Sequence, residues 1–521
     1  MVTDNERYYD IITFGDEVPG VLAAIAAARE YRRRTETHPK VLLMSKADAR
    51  EGIGGHLVRG GLAYLDRSQI EIDLRKSLKL GTFGAPPSLY EEFLKKAGVV
   101  SIALDPHKAD AALKTMLKEA GVAILSNVEI ESATCDNGPL VEILTARGEI
   151  YKAKQFIDAT VNAELAQAAG VTKYNGFATF GLPDSELPVT LVFVTEGLSV
   201  KRLKQVEYAY LKRLTNNDDR EAQRFIDIAA RSESGLIEVL KRDLVDSRGQ
   251  LKTLWAGKDH IDVRSNALSI VYHACRGKKL DLEESGSLLD RGNIAILGGD
   301  RLSWNALLFT VTGSEAETLA RNCAKPTPAM LEEMSYVERW FKSIGAKTVT
   351  PASELYIRHA GNVVGVVEPL SGAQMLAGGV PADEAIGTFA YHFDVRGGIR
   401  GIGRKANEKG FLSTVFDKPI FNIGIRHAQI KAVPNLAVVS PASGFEGFAS
   451  SAGRIVEFNA AVGQGIGIAA TLAVLQNRHL AEIGNREVRE TLSTTGQLPP
   501  IFGKPKEQEV ARLRDFESAL A

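Results

Sequence analysis

The feature that most constrains this chain is the placement of glycines and apolar runs at its two ends. Tyr9 to Phe14 reads as a short buried strand. It runs into Gly15-Asp16-Glu17-Val18-Pro19-Gly20 and then into an Ala-rich helix, Val21 to Arg29. A second apolar strand, Lys40 to Met44, follows, and after it Gly54-Gly55. This strand–turn–helix–strand order is the βαβ unit that binds dinucleotides. Near the other end, Asn435 to Val439 and Gly463-Gln464-Gly465-Ile466-Gly467 read as a second strand–helix pair closing on the same nucleotide. A chain that opens and closes on one site is expected to carry its substrate domain in between.

The residue types in the first turn have physical reasons. Gly15 lets the chain turn tightly off the strand, and Gly20 allows close helix–strand packing. The helix start then offers free N–H groups and a positive dipole end to a diphosphate. The middle glycine of G-x-G-x-x-G is replaced by Glu17, a carboxylate where backbone and phosphate come closest. At the end of the second strand, an acidic residue usually bonds the ribose. Here Ser45-Lys46 stands instead. Serine bonds a ribose more weakly, and the pair also suits a 2′-phosphate.

With 521 residues, the chain is long enough for two domains with sizeable cores. A net charge of −1 gives no global attraction to nucleic acid or to an anionic membrane. The longest apolar stretch, Ile466 to Leu475, is too short to span a bilayer, so the expectation is a cytoplasmic protein with no membrane insertion. The three cysteines, Cys135, Cys275 and Cys323, form no C-x-x-C and read as ordinary buried thiols. The nine histidines show no metal-ligand spacing.

Between the two ends, Val128 to Ala133 reads as a strand. Val141 to Thr145 and Glu149 to Lys152 flank a hairpin turn, and Lys154 to Thr160 reads as a separate buried strand. Leu187 to Val194 alternates like a sheet strand. Val200 to Asp246 is charged and helical, suited to a lid or a partner surface. The tail from Thr494 reads as extended, with a short final helix.

Taken in order, these pieces resemble the FAD-dependent oxidoreductases with a glutathione-reductase-type FAD fold. More distantly, the chain is similar to the fumarate reductase and succinate dehydrogenase flavoproteins. The resemblance rests on Gly54-Gly55-His56 with Gly60-Gly61-Leu62, on Asp105 to Leu113, on Phe156-Ile157-Asp158-Ala159-Thr160, and on Pro434-Asn435-Leu436 with Gly463 to Gly467. Leu355 to Arg358 and Phe393 to Arg396 resemble substrate-domain landmarks. The resemblance implies an α/β fold: a three-layer Rossmann-like FAD-binding domain in two parts, residues 1–173 and 426–492. An α+β substrate domain, 174–425, is inserted between them, and 493–521 is a tail. It also implies FAD as cofactor, with contacts at Gly15, Glu17, Val18, Pro19, Gly20, Ser45, Lys46, Gly54, Gly55, His56, Val128, Ala159, Thr160, Gly463, Gly465 and Ile466. Backbone donors from the helix start around Gly465 to Ile468 would face the flavin. Two further departures are Val161-Asn162 in place of the family's Gly-Asp, and Ser440-Pro441 where Gly-Arg is common.

The activity this implies is hydride transfer between a small organic substrate and flavin. His392 is placed to move a proton, and Arg358 and Arg426 to clamp a carboxylate. Arg396 and His427 are further candidates. Against each stands the simpler role of a hydrogen-bonded structural residue. Two other readings stay open: a degenerate member without tightly bound FAD that serves as a binding or scaffold protein, favoured by Glu17, Ser45 and Val161-Asn162, and a nicotinamide-using enzyme, favoured by Ser45-Lys46. The expected partner is a small-molecule substrate, with no nucleic acid. The electron acceptor and a homo-oligomeric state stay open.

Overall fold

The computed structural model describes residues 7–521; residues 1–6 of the first segment lie outside the described residues. The fold is α/β, as expected. One sheet contains β1 (Arg7–Phe14), β2 (Val41–Met44), β3 (Ala123–Leu125), β4 (Ile130–Cys135), β5 (Leu140–Thr145) and β6 (Ile150–Asp158), in the order β3-β2-β1-β6-β5-β4. β3, β2, β1 and β6 run parallel. Every residue of β2 and the last four of β1 are buried, the pattern of parallel strands covered on both faces.

β6 joins two stretches that read as separate strands in the sequence. One edge pairs along its length with β1. The other is shared: Ile150 to Lys152 pair antiparallel with β5, and Phe156 to Asp158 pair parallel with the closing strand Leu436–Val438. The second arm of the hairpin and the buried run are thus one continuous strand.

Helix α1 (Val18–Thr35) lies on this sheet, with Pro19 in its first turn and Glu36 in the left-handed conformation past its end. A closing helix, Val456–Gln476, packs parallel to α1. Gly463 faces the Pro19 carbonyl, Gly467 faces that of Ala23, and the Thr471 hydroxyl donates to that of Ala27. The closing helix therefore starts well before Gly465. Gly463, Gly465 and Ile466, expected at a helix start facing the cofactor, lie in its interior. This helix is long and apolar enough to cross a membrane by length and composition, but 89% of that stretch is buried inside the fold. It is apolar all round because it is enclosed on every side.

A second, six-stranded antiparallel sheet holds Val189–Glu196 between Thr348–Pro351 and Arg301–Phe309, and continues through Ser287–Gly298, His260–Asp262 and Trp255–Ala256. Phe193, Trp304 and Phe341 pack ring against ring in its core. The charged insert forms three helices, Val200–Leu214, Arg220–Ala230 and Ser234–Asp243, with its own small core around Leu211, Ile226 and Leu240.

The final helix, Glu507–Leu520, is longer than expected. It docks through Leu513, Phe516 and Leu520, while Glu517 accepts backbone N–H bonds from Gly372, Ala373 and Phe448. The cysteines also differ from expectation. Cys135 and Cys275 are exposed and Cys323 is half-buried. Cys135 ends β4, the outermost strand of the sheet, where its thiol donates to the Ala169 carbonyl at 3.6 Å.

Candidate active site

The first turn behaves as its glycines require. Gly15 has φ +103, and a Cβ there would lie 2.5 Å from the Ala159 carbonyl carbon. A Cβ on Gly20 would lie 2.1 Å from that of Ala159, so only glycine brings α1 this close to the end of β6. Glu17 is the N-cap of α1, but its side chain does not cap the helix. The carboxylate reaches across to the Gly54-Gly55 loop. There Oε1 accepts the His56 backbone N–H at 3.1 Å, and Oε2 lies 2.5 Å from His56 Nδ1. Gly55 has φ +50, and a Cβ on it would stand 2.1 Å from Glu17 Oε1.

Asp16 makes a parallel arrangement. It accepts from the Gly54 N–H at 3.3 Å and takes a bidentate pair from Arg59 at 2.5 and 2.9 Å. Arg59 also donates to Glu354 at 2.8 Å, and its side chain is only 4% exposed. Burial works against the Arg59 charge, but Asp16 and Glu354 outweigh it and hold the guanidinium above its usual range. Burial likewise pushes the Glu354 carboxyl up, against the pull of Arg59.

Beside this network, at the C-terminal ends of β1 and β6, opens a cleft of about 80 Å³ lined by Gly15, Asp16, Lys46, Thr160, Glu164 and Cys323, among others. Ligands of doubly wound sheets bind at this end. Lys46 pairs with Glu164 at 2.8 Å. Ser45 is buried, its hydroxyl donating to the Ala47 carbonyl, and Val128 is a core residue whose N–H donates to the Ser45 carbonyl. Thr160 commits both its N–H and its hydroxyl to Asp158. Burial pushes the Asp158 carboxyl up to about 6.

A second cluster adjoins the first through one stacked pair. The Tyr356 ring lies 4.8 Å from the His56 ring, at 17°. The Arg358 guanidinium stands 4.5 Å from the Tyr356 ring centre. Arg358 is 1% exposed, and it donates to the Pro188 carbonyl (2.8 Å), the Thr190 hydroxyl (2.7 Å) and the Asn305 amide oxygen (3.3 Å). All three acceptors are neutral, and its Nε has no hydrogen-bond partner among the described residues. Burial lowers its pKa to about 9. Arg396 meets the same Asn305 through its carbonyl and pairs with Asp290 at 2.7 Å. Arg454 pairs with Asp394, lies 3.7 Å from Asp66, and donates to the Tyr391 hydroxyl. Arg358 and Arg396 of the sequence-named residues thus converge, and Arg454 joins them.

The other named residues lie apart. His392 is exposed and engages Gln69 through Nδ1 at 2.6 Å. Arg426 donates to Gln429 and to the Ala481 carbonyl, and with His427 it lines a separate pocket of about 190 Å³. His427 is buried against Phe445 and Phe458, and burial lowers its pKa to about 3, so it stays neutral. The true first turn of the closing helix carries Glu457, which accepts the Ser68 N–H at 3.1 Å. Burial pushes this carboxyl up to about 8.

Sequence reasoning missed Arg59, Glu354, Arg454, Tyr391 and Asp66 as site residues, and it gave Asp16 no role. Arg59 finds its partners 43 and 295 positions away, and Arg454 finds Asp394 60 positions away, so no local motif marks them. The available signal was the pair of charges, Arg454 and Glu457, within the otherwise uncharged run Gly447 to Val462, because charges buried in such runs need partners.

A protein-family model described as FAD dependent oxidoreductase matches residues 10–492. Comparison with curated protein sequences finds no match. Among solved structures, L-proline dehydrogenase from P. horikoshii is similar at 11% identity, over 95% of this chain and 100% of that one, with a TM-score of 0.36. A mutant of the halogenase PltM in complex with FAD is similar at 12% identity, over 94% and 73% respectively, with a TM-score of 0.36. L-amino acid deaminase from Proteus vulgaris is similar at 12% identity over 38% of this chain, with a TM-score of 0.24; the alignment spans only 56% of that protein.

Proposed function

The chain belongs to the FAD dependent oxidoreductase family and is an oxidoreductase with FAD as its cofactor; from that premise we propose that its substrate is a small organic anion held by Arg358. The observation that carries this reading is the state of that side chain. A guanidinium removed from water is costly without a counter-charge. Arg396 and Arg454 each have a carboxylate partner, whereas every acceptor found on Arg358 among the described residues is neutral. A substrate carboxylate supplies the missing charge through a charge-assisted hydrogen bond.

The residues around the first turn fit FAD in two respects. Gly15 and Gly20 give the close approach a dinucleotide needs, and the cleft beside Lys46 and Thr160 opens where the adenosine half of such a ligand lies. Bound FAD supplies the two-electron partner for a hydride. The protein's own part is positional. Arg358 binds and orients the anion, while Arg396, Arg454, Tyr356 and Tyr391 enclose it and exclude water. Burial holds the Tyr391 hydroxyl well above its usual range, so it remains a phenol.

The test is a titration of FAD-loaded protein, without oxygen, with amino acids, 2-hydroxy acids and their amides, following the visible flavin spectrum. Carboxylates are expected to perturb the spectrum and the matching amides to leave it unchanged. Arg358→Met is expected to weaken the carboxylate response about 100-fold or more. Equal affinity in this variant would refute the assignment.

A further inference from the structure

We propose that Glu17 is an internal anion competing with the FAD diphosphate for the same backbone donors, so that the cofactor binds only when Glu17 leaves the loop and is held exchangeably. The inference goes beyond the substrate reading and rests only on FAD being the family cofactor.

Three observations carry it. The first is the scarcity of free donors. Pro19 has no N–H, and the Gly20 and Val21 N–H groups close the turn onto the Glu17 carbonyl. The facing loop would have to supply the rest, but the His56 N–H is held by Glu17 and the Gly54 N–H by Asp16.

The second is fit. Gly55 sits so close to the Glu17 carboxylate that a Cβ on it would stand 2.1 Å from Oε1. The loop therefore receives a carboxylate as closely as a dinucleotide loop receives a phosphate.

The third is charge. Asp16 and Glu354 already engage Arg59, Glu164 already engages Lys46, and Glu17 adds a further carboxylate to the lining of the same cleft. A diphosphate arriving with Glu17 in place adds negative charge to a site already rich in it.

The same contact links the two halves of the site. Glu17 holds His56, His56 stacks on Tyr356, and Arg358 stands over Tyr356. Departure of Glu17 removes the neighbour of the His56 ring that stacks on the substrate cluster, so FAD arrival reaches Arg358 through three contacts.

The experiment is calorimetric titration of the flavin-free full chain with FAD, with ADP and with riboflavin, in wild type, Glu17→Ser and Glu17→Gly. Serine is a preferred N-cap and keeps the start of α1. Glycine restores the G-x-G-x-x-G pattern, and circular dichroism confirms the fold of both. Both variants are expected to bind FAD and ADP at least about tenfold more tightly than wild type. Riboflavin, which lacks the diphosphate, is expected to be unaffected. Equal or weaker FAD and ADP binding in the variants overturns the proposal. So does an equal gain for riboflavin, which would mark a simple volume effect. Absence of binding by every variant also overturns it, since removing the carboxylate then frees nothing. The carboxylate titration at Arg358 uses neither ADP nor these variants, so the two readings fail separately.

Discussion

Gly463 of the closing helix lies so near Pro19 of α1 that a Cβ on it would stand 2.3 Å from the Pro19 carbonyl oxygen. Two steps along, a Cβ on Gly465 would meet side chains rather than backbone: Ile386 Cδ1 and Ile425 Cγ2, each at 2.8 Å, and Val488 Cγ1 at 3.7 Å. The two glycines therefore answer differently to the same change. Alanine gains roughly 1 kcal/mol of helix propensity at either position. Against backbone that cannot yield, overpacking costs about 1–3 kcal/mol. Gly463→Ala is expected to be destabilised and Gly465→Ala to stay within about 1 kcal/mol of wild type, as read by urea unfolding. Equal stability of Gly463→Ala and wild type would reject the close-packing role.

Arg59→Met should unmask two buried carboxylates. With the guanidinium gone, Asp16 and Glu354 face each other without a cation, a loss of about 3–5 kcal/mol. Burial already raises the Glu354 pKa, and removing Arg59 raises it further. A raised carboxyl favours the folded state at low pH and loses that advantage as pH rises. The deficit against wild type is therefore expected to be larger at pH 8 than at pH 5, measured by denaturant midpoints. A pH-independent deficit would point to lost packing alone.

Glu457 gives the wild-type protein its own pH slope. Its folded pKa is raised by burial from 4.5 to about 8. Its contribution to stability is therefore complete below 4.5 and declines as pH rises toward 8. Glu457→Gln keeps the shape and removes the titration. The variant is expected to lose less stability than wild type between pH 6 and pH 8.5. Parallel curves would show that this carboxyl does not titrate in that range.

His427 acts at the acid end. Burial lowers its pKa from 6.5 to about 3, so the folded state holds it neutral. That contribution is present above 6.5 and fades as pH falls toward 3. His427→Phe preserves ring packing against Phe445 and Phe458 and is expected to flatten the acid limb of thermal unfolding measured from pH 7 to pH 4.

Much of the fold was legible because its signals are local. Gly15 and Gly20 stand at fixed places in a βαβ unit and the Phe156 to Thr160 run is a short apolar strand, so each could be read locally although the two meet at Ala159 from distant parts of the chain. Gly463 to Gly467 misled for the opposite reason. A glycine-rich run before an apolar one looks like a helix start, whereas here the glycines mark where a second helix presses in. Arg358 could be named because Leu355 to Arg358 resembles a substrate-domain landmark and an arginine there can clamp a carboxylate. That its hydrogen-bond acceptors among the described residues are all neutral could not be read, since Pro188, Thr190 and Asn305 arrive from distant parts of the chain. Glu17 was visible as a misfit. That it reaches across to His56 follows only from the way the two loops meet.

The shared edge of β6 has a cost during synthesis. Residues Phe156 to Asp158 are fully buried in the finished sheet, yet their partner strand begins only at Leu436. At a typical rate of ~5–20 residues per second, a ribosome leaves that apolar edge open for tens of seconds. A nascent chain in this state presents bare N–H and C=O groups beside Phe156 and Ile157, the kind of surface onto which a stray strand adds. The protein is expected to depend on chaperones for soluble yield, and chains cut short before Leu436 should aggregate rather than persist as a half-built sheet.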